Sequence, residues 1–316
     1  MMYFFLIIGL ATLIVGGEFL VRGAVGIAKK AQISTLVIGM TVISFGTSAP
    51  ELFVSLGAAF DGNPEIAIGN VVGSNIANIA LVLGLTVLIF PIAVDRNSKI
   101  IDWPMMMLAT VLFLIFALDL KIAVWEGGVL FGILLVFTYL LIRGSRRKNK
   151  KNAVAVDVDE IKSIKDNIWL SILYTLIGLV GLYFGSGWLV DGAVDIATVM
   201  GMEKRVIAVT VVAFGTSVPE LVTSVVAAFK KETDISIGNL IGSNIFNIMA
   251  VIGITAIVKP IEVEKATLHF DMWWVIGIAL ALLPMMLIGK KVGRLKGSVL
   301  LLSYVAYITI LVMSIG

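Results

Sequence analysis

Two glutamates sit in this chain where charge is hard to justify. Glu51 closes the segment GTSAPE at 46–51, and Glu220 closes GTSVPE at 215–220, each inside a long apolar stretch. An ionisable side chain in mid-membrane costs about 2.5–3.5 kcal/mol on insertion scales. Two at matched positions therefore imply a use for the charge. No Lys or Arg lies within these stretches except near their ends, which disfavours a buried ion pair. Pro50 has no N–H, and its ring conflicts with the carbonyl of Gly46, four residues earlier. The stretch should therefore break or unwind near 44–50 and free carbonyl oxygens. Such backbone survives at membrane depth only when buried in protein or lining a watery cavity. Carbonyls, the Thr47 and Ser48 hydroxyls and the Glu51 carboxylate are all hard oxygen donors, the ligands a calcium ion takes about 6–8 of. Thr47 and Ser48 precede Glu51 by four and three residues, so all share one face wherever the helix persists. Thr216, Ser217 and Glu220 repeat the set.

The following stretches carry IGNVVGSNIANI at 68–79 and IGNLIGSNIFNI at 237–248. Ser74 and Asn78 are four apart, as are Ser243 and Asn247, and could supply further ligands or interhelical hydrogen bonds. Gly69, Gly73 and Ala77, with Gly238 and Gly242, form a small-residue pattern that lets helices approach closely. With both glutamates ionised the site carries two negative charges. One divalent or two monovalent cations would neutralise it.

The elements that must hold these groups follow from composition. The 316 residues are 59% hydrophobic and 14% charged, with a mean hydropathy of +1.06. A soluble domain carries roughly a quarter charged residues, so the solvent here is lipid and length counts membrane spans of about 20 residues. Ten can be drawn: 3–24, 33–60, 65–91, 102–119, 122–142, 168–189, 206–229, 234–258, 270–288 and 297–315. The first, lacking a basic n-region and a small-residue cleavage site, reads as a membrane helix and not a signal peptide. On this map 19 of the 24 Lys and Arg residues fall on one side. Only Lys121, Lys204, Arg205, Lys259 and Lys265 fall on the other. The excess marks the cytoplasm, so both termini face outward, and segment 143–167 is a cytoplasmic linker. The net charge of +3 is this bias and not a nucleic-acid surface. Trp103, Trp125, Trp169 and Trp188 fall near span ends, as interfacial belts do.

The motifs recur at a fixed offset of 169 residues, without a gap from Gly16 to Pro91. The chain is thus a duplicated unit: repeat 1–142, linker 143–167, repeat 168–316. Each unit holds five spans, an odd number, so the second enters the membrane from the opposite side. The expected fold is an all-α membrane protein of ten transmembrane helices in two inverted repeats, with helices 2 and 7 broken. Secondary transporters of this plan bind substrate at the midplane between repeats.

GTSAPE with GNVVGSNIAN, and GTSVPE with GNLIGSNIFN, resemble the two α-repeats of the sodium/calcium exchangers in the calcium/cation antiporter superfamily. The resemblance spans nearly the whole chain and is closest to the prokaryotic members, since no long regulatory loop is present. It implies that Glu51 and Glu220 are acidic ligands for Ca²⁺ and Na⁺ and that Thr47 and Thr216 add backbone and side-chain oxygens. It further implies that Ser48, Ser74, Ser217 and Ser243 help form flanking sodium sites, completed by the carbonyls of Ser44 and Ala213. Asn78 would lie centrally with Asn247 as its mate. Potassium-dependent members have Asp where Asn247 stands, which disfavours potassium co-transport.

The expected function is Na⁺/Ca²⁺ antiport in the plasma membrane, by a chain acting as a monomer, with the two ions as substrates and no cofactor. A proton/calcium exchanger, a potassium-dependent exchanger and, more distantly, a cation channel are the competing readings. An enzyme is disfavoured: the chain has no cysteine, His269 is its one histidine and sits at a span boundary, and a nucleophile needs a positioned base. There is no phosphate-binding G-x-x-x-x-G-K-[ST] loop and no EF-hand spacing in the linker.

Overall fold

Long apolar runs with few helix breakers become long helices. The computed structural model describes residues 2–62, 64–151, 167–199, 213–289 and 291–315. Among them eight helices are long and apolar enough to cross a membrane: α1 (Tyr3–Ala31), α4 (Ile66–Ile89), α5 (Ser98–Ala117), α6 (Val124–Lys148), α7 (Ile168–Ile196), α10 (Thr233–Val258), α11 (Thr267–Leu287) and α12 (Arg294–Met313). A bent pair, α2 (Thr35–Thr47) and α3 (Ala49–Phe60), inclined at 42°, is long and apolar enough for a ninth when taken as one span. In the second half α8 (Ala213–Thr216) and α9 (Val218–Phe229) repeat the end of that pair. The first seven residues of the seventh expected span, 206–212, lie outside the described residues, as do Lys204 and Arg205 before it and most of the linker. The linker's basic start is helical, continuing α6 past position 142.

Two features recur in both halves at the 169-residue offset. The middle of α4 is wound as a π-helical turn over Ala77–Leu83, and the middle of α10 likewise over Asn247–Ile252. The starts of α5 and α11 are π-helical over Ser98–Asp102 and Thr267–Asp271. Such turns are rare and gather at functional sites. Short antiparallel ladders join the halves. Strand β1 (Ile92–Ala93) pairs with β4 (Lys291–Val292), and β2 (Lys121–Ile122) with β3 (Ile261–Glu262).

The apolar interior divides into two clusters. The larger is built from α4, α5, α6, α10, α11 and α12. The smaller centres on α1 and α2, with Leu182 of α7 and Val218 and Ala227 of α9. Helices α1 and α7 lie along one another at backbone contact: a Cβ on Gly178 would stand 2.5 Å from the Leu20 nitrogen, and one on Gly23 at 2.5 Å from that of Thr175. Outward faces carry exposed apolar side chains, among them Ile7, Leu10 and Ile14 of α1 and Leu135, Val136 and Leu140 of α6. In water such surface would associate; facing lipid it is solvated.

Candidate cation site

The helix breaks where Pro50 requires. Ser48 leaves the helical backbone with ψ near 6°, its counterpart Ser217 with ψ near 0°, and each proline then occupies the first turn of the resumed helix. Proline suits that position because the first-turn N–H groups have no intrahelical acceptor. This places Glu51 and Glu220 in the first turns of α3 and α9, at helix N-termini where the dipole favours negative charge. Both are fully buried, within electrostatic reach of one another. No Lys or Arg is bonded to either among the described residues: the ion pairs found there both belong to Glu18, with Arg22 and with Lys230.

The two halves interlock at this point. Ser48 Oγ donates to Glu220 Oε1 across the halves at 3.0 Å, and Ser243 Oγ donates to the same oxygen at 3.5 Å. Thr47 Oγ1 lies 3.5 Å from Ser243 Oγ and donates to Asn239 Oδ1 at 3.2 Å. Asn239 Nδ2 in turn donates to the Glu220 carbonyl at 3.4 Å and to Ser224 Oγ at 3.1 Å. Ser44 Oγ sits 2.8 Å from the Gly39 carbonyl and 3.0 Å from that of Asn239. The close approach behind this contact depends on Gly238 and Gly242. A Cβ on Gly238 would stand 2.7 Å from the Leu36 carbonyl, and one on Gly242 would collide with the Ser44 hydroxyl. Gly69 and Gly73 meet no such neighbour among the described residues.

Of the remaining predicted residues, Ser74 and Ser217 are buried, and Asn78 and Asn247 lie fully buried on the two π-turns. Thr216 is only half-buried and lines a groove with Pro50 and Asp191, unlike the buried Thr47. Ala213 opens α8. The halves are therefore not equivalent: Glu220 accepts from Ser48 and Ser243, whereas among the described residues Glu51 has only Ser74 beside its carboxylate, and neither oxygen meets a donor in full hydrogen-bond geometry.

Asn70 and Asn239 escaped the sequence reading. Asn70 Nδ2 donates to the Glu51 carbonyl and to Ser55 Oγ, both at 3.1 Å, as Asn239 does to Glu220 and Ser224. The signal was present: each asparagine precedes Ser74 or Ser243 by one helical turn and so shares its face.

The donor set indicates what can bind. Among the described residues no three His, Cys, Asp or Glu side chains gather where they could hold a metal ion. Instead Oε1 and Oε2 of Glu51, Oε2 of Glu220, Ser74 and Ser217 hydroxyls and both atoms of the Asn78 and Asn247 amides are buried without hydrogen-bond partners. Native proteins leave few such groups. Two carboxylates, hydroxyls and amide oxygens form an all-oxygen set suited to hard, weakly held cations.

Comparison with known proteins agrees with this chemistry. Residues 1–143 and 170–313 match the family described as sodium/calcium exchanger protein. CaxA of Alkalimonas amylolytica, a protein assigned as an antiporter, is 36% identical over 306 residues, covering 96% of each chain. The sodium/calcium exchanger MaX1 of Methanosarcina acetivorans is 30% identical, covering 98% of each. A solved structure of the sodium-calcium exchanger NCX_Mj, soaked with 10 mM Na⁺ and zero Ca²⁺, superposes with a TM-score of 0.82 at 31% identity, covering 98% of each chain.

Proposed function

Because this chain belongs to the sodium/calcium exchanger protein family, we propose that it exchanges Na⁺ for Ca²⁺ across the plasma membrane around the site formed by Glu51 and Glu220. The chain crosses ten times in two inverted five-helix repeats, and access alternates between the two faces. The ladders support the inversion. Helix α5 connects β1 to β2 and spans 20 residues, about 30 Å at 1.5 Å per residue, so β1 and β2 lie at opposite faces. The pairing puts β4 beside β1 and β3 beside β2. Hence β1 and its repeat mate β3 face opposite ways, which an inverted duplication requires and a parallel one forbids.

The observation that carries the reading is the Ser48–Glu220 hydrogen bond. It fastens a carboxylate of one repeat to the broken turn of the other, so both carboxylates serve one pocket. Their combined charge of −2 is balanced by one Ca²⁺ or two Na⁺, and a third Na⁺ leaves +1. Ions of either kind then compete for the same oxygens, and a scaffold that rocks around them couples their movements. Thr47, Thr216, Ser48, Ser217, Ser74, Ser243, Asn78 and Asn247 supply the remaining side-chain oxygens, and Ser44 and Ala213 supply carbonyls. Asn247 contributes a neutral amide, which keeps the charge at −2 and disfavours a further K⁺. The chain functions as a monomer, with both termini outside and the 143–167 linker in the cytoplasm.

The test is radioactive calcium uptake into proteoliposomes. An outward Na⁺ gradient should drive uptake, and matched K⁺ or H⁺ gradients should not. Glu51→Gln and Glu220→Gln should each reduce uptake by at least ~100-fold, since each removes half the pocket's charge. Uptake that survives both substitutions, or that proceeds equally without any gradient, rejects the proposal.

A further inference from the structure

The two halves present matched seams in unlike states. Helix α1 packs on α9 of the other half, where Gly17 lets the valines approach: a Cβ there would stand 3.0 Å from Val222 Cγ1 and 3.4 Å from Val226 Cγ2. Val21 is fully buried in one cluster with Val218 and Ala227. The corresponding seam runs between α7 and α3, and it is not sealed. Phe53, the repeat mate of Val222, is 64% exposed. A Cβ on Gly57, the mate of Val226, would meet nothing within 4 Å. Val190, the mate of Val21, is half-buried and lines a groove of about 330 Å³ with Asp191, Pro50 and Thr216. That groove reaches the central site at Thr216, whereas its mate Thr47 is buried.

Charge differs at the same places. Lys230 closes α9, and its Nζ donates to Glu18 Oε1 of α1 at 2.7 Å, across 212 residues of sequence. Arg22, one turn along α1, binds the same oxygen. Glu18 and Lys230 are both half-buried. At the 169-residue offset Glu18 maps to Gly187, Arg22 to Asp191 and Lys230 to Asp61. One seam thus holds an acid between two bases, and the other holds two acids and a glycine. No ion pair can form from the second set.

We propose that Glu18 and Lys230 form a latch that holds the cytoplasmic seam shut and biases the molecule toward the state open on the outer face. The proposal rests on the reading in which access alternates between two faces, with Lys230 on the Lys- and Arg-rich side. Opening the cytoplasmic entrance requires α1 to part from α9, and the ion pair is lost with that separation. The pair therefore exists in one state and has no substitute in the other, which is what lets a contact shift a two-state balance. Arg22 binds Glu18 within one helix, moves with it and does not cross the seam. A partly exposed pair shifts such a balance by about 2–5-fold, enough to set a bias without preventing turnover.

The test uses single-cysteine reporters, because the chain has no cysteine of its own. Val21→Cys reports on the α1–α9 seam and Val190→Cys on the groove. Each is read as its rate of modification by a small water-soluble methanethiosulfonate in the purified full chain. Without further change V190C should react much faster than V21C. E18A and K230A should each speed V21C and slow V190C by about 2–5-fold. K230R keeps the ion pair and R22Q keeps the bond across the seam, so both should leave the rates near their starting values. Installing G187E together with D61K builds the missing pair at the other seam and should slow V190C. Rates unmoved by E18A and K230A overturn the latch, as does a V21C rate raised as much by R22Q as by E18A. Both reporters speeding together would show general loosening and overturns it equally. Labelling requires no ion movement, so a failed latch leaves calcium uptake by the unaltered chain in place, whereas failed exchange appears as absent uptake with the labelling pattern intact.

Discussion

Glu220 and Glu51 hold equivalent places but are not equally held, and beside Glu220 the amide of Asn239 adds a bond to the other half. Its amide nitrogen supports the Glu220 carbonyl, and its oxygen accepts from Thr47 of the other half. Asn70, half-buried, makes both of its amide donations within its own half. Asn239→Ala takes from the buried Thr47 hydroxyl its shortest bond, leaving 3.5 Å contacts to the Ser44 carbonyl and Ser243 Oγ, and takes the amide donor from the Glu220 carbonyl and Ser224 Oγ, at about 1–3 kcal/mol for a group left unsatisfied. Each 1.4 kcal/mol is tenfold in affinity, so the half-saturating Ca²⁺ for uptake should rise roughly tenfold or more. Asn70→Ala should shift it less, and equal shifts would show that the bond between halves is not what matters. Sequence could single out Glu51 and Glu220 because charge inside an apolar run is conspicuous. It could not rank the two asparagines above other polar residues of the same motif. That ranking depends on which side chain reaches across to the partner repeat, a contact 192 residues away along the chain.

At the scale of helices, breakers were legible and contacts were not. Pro50 and Pro219 announced the two breaks, and both fall at the preceding serine as expected. The π-turns carrying Asn78 and Asn247 left no composition signal, because an extra residue in a helical turn changes hydrogen-bond register and not residue type. Trp103 lies near a span end as the sequence indicates, and its indole nitrogen donates to the Ala279 carbonyl at 2.7 Å, tying α5 to α11, while Trp125 and Trp169 are exposed. Glycines bring the α1–α7 pair to backbone contact, with Leu182 packed in one cluster with Leu13 and Leu20 and Phe19 edge-on to Tyr174 at 4.9 Å beside them. In lipid such packing rests on close van der Waals approach and not on the hydrophobic effect. Gly178→Leu would drive four heavy atoms into the Leu20 backbone and should separate the two helices, seen as a drop in Tm of the purified protein and loss of most uptake. Gly128→Leu on α6, where an added Cβ meets nothing within 4 Å, should leave both nearly unchanged. Equal tolerance at both positions would mean that α1 and α7 do not depend on this contact.

For the whole molecule the decisive question is the relative orientation of the halves, and charge and pairing bear on the proposed inversion separately. The Lys and Arg bias favours one assignment of faces from sequence alone, while the ladders favour one from backbone pairing without reference to charge. Both put Arg96 with Lys291 on one face and Lys265 with Lys121 on the other. These four exposed residues are two sets of repeat mates: Arg96 and Lys265 are 169 apart, and Lys121 and Lys291 are 170 apart. Because the chain has no cysteine, each can be replaced singly by cysteine in an otherwise unreactive background. In intact cells a membrane-impermeant maleimide should label Lys265→Cys and Lys121→Cys, and it should reach Arg96→Cys and Lys291→Cys only after the membrane is opened. Repeat mates in a parallel duplication would instead be labelled alike. Any set of mates reacting from the same side would therefore exclude an inverted arrangement. It would also remove the reason for Glu51 and Glu220 to approach one pocket from opposite directions.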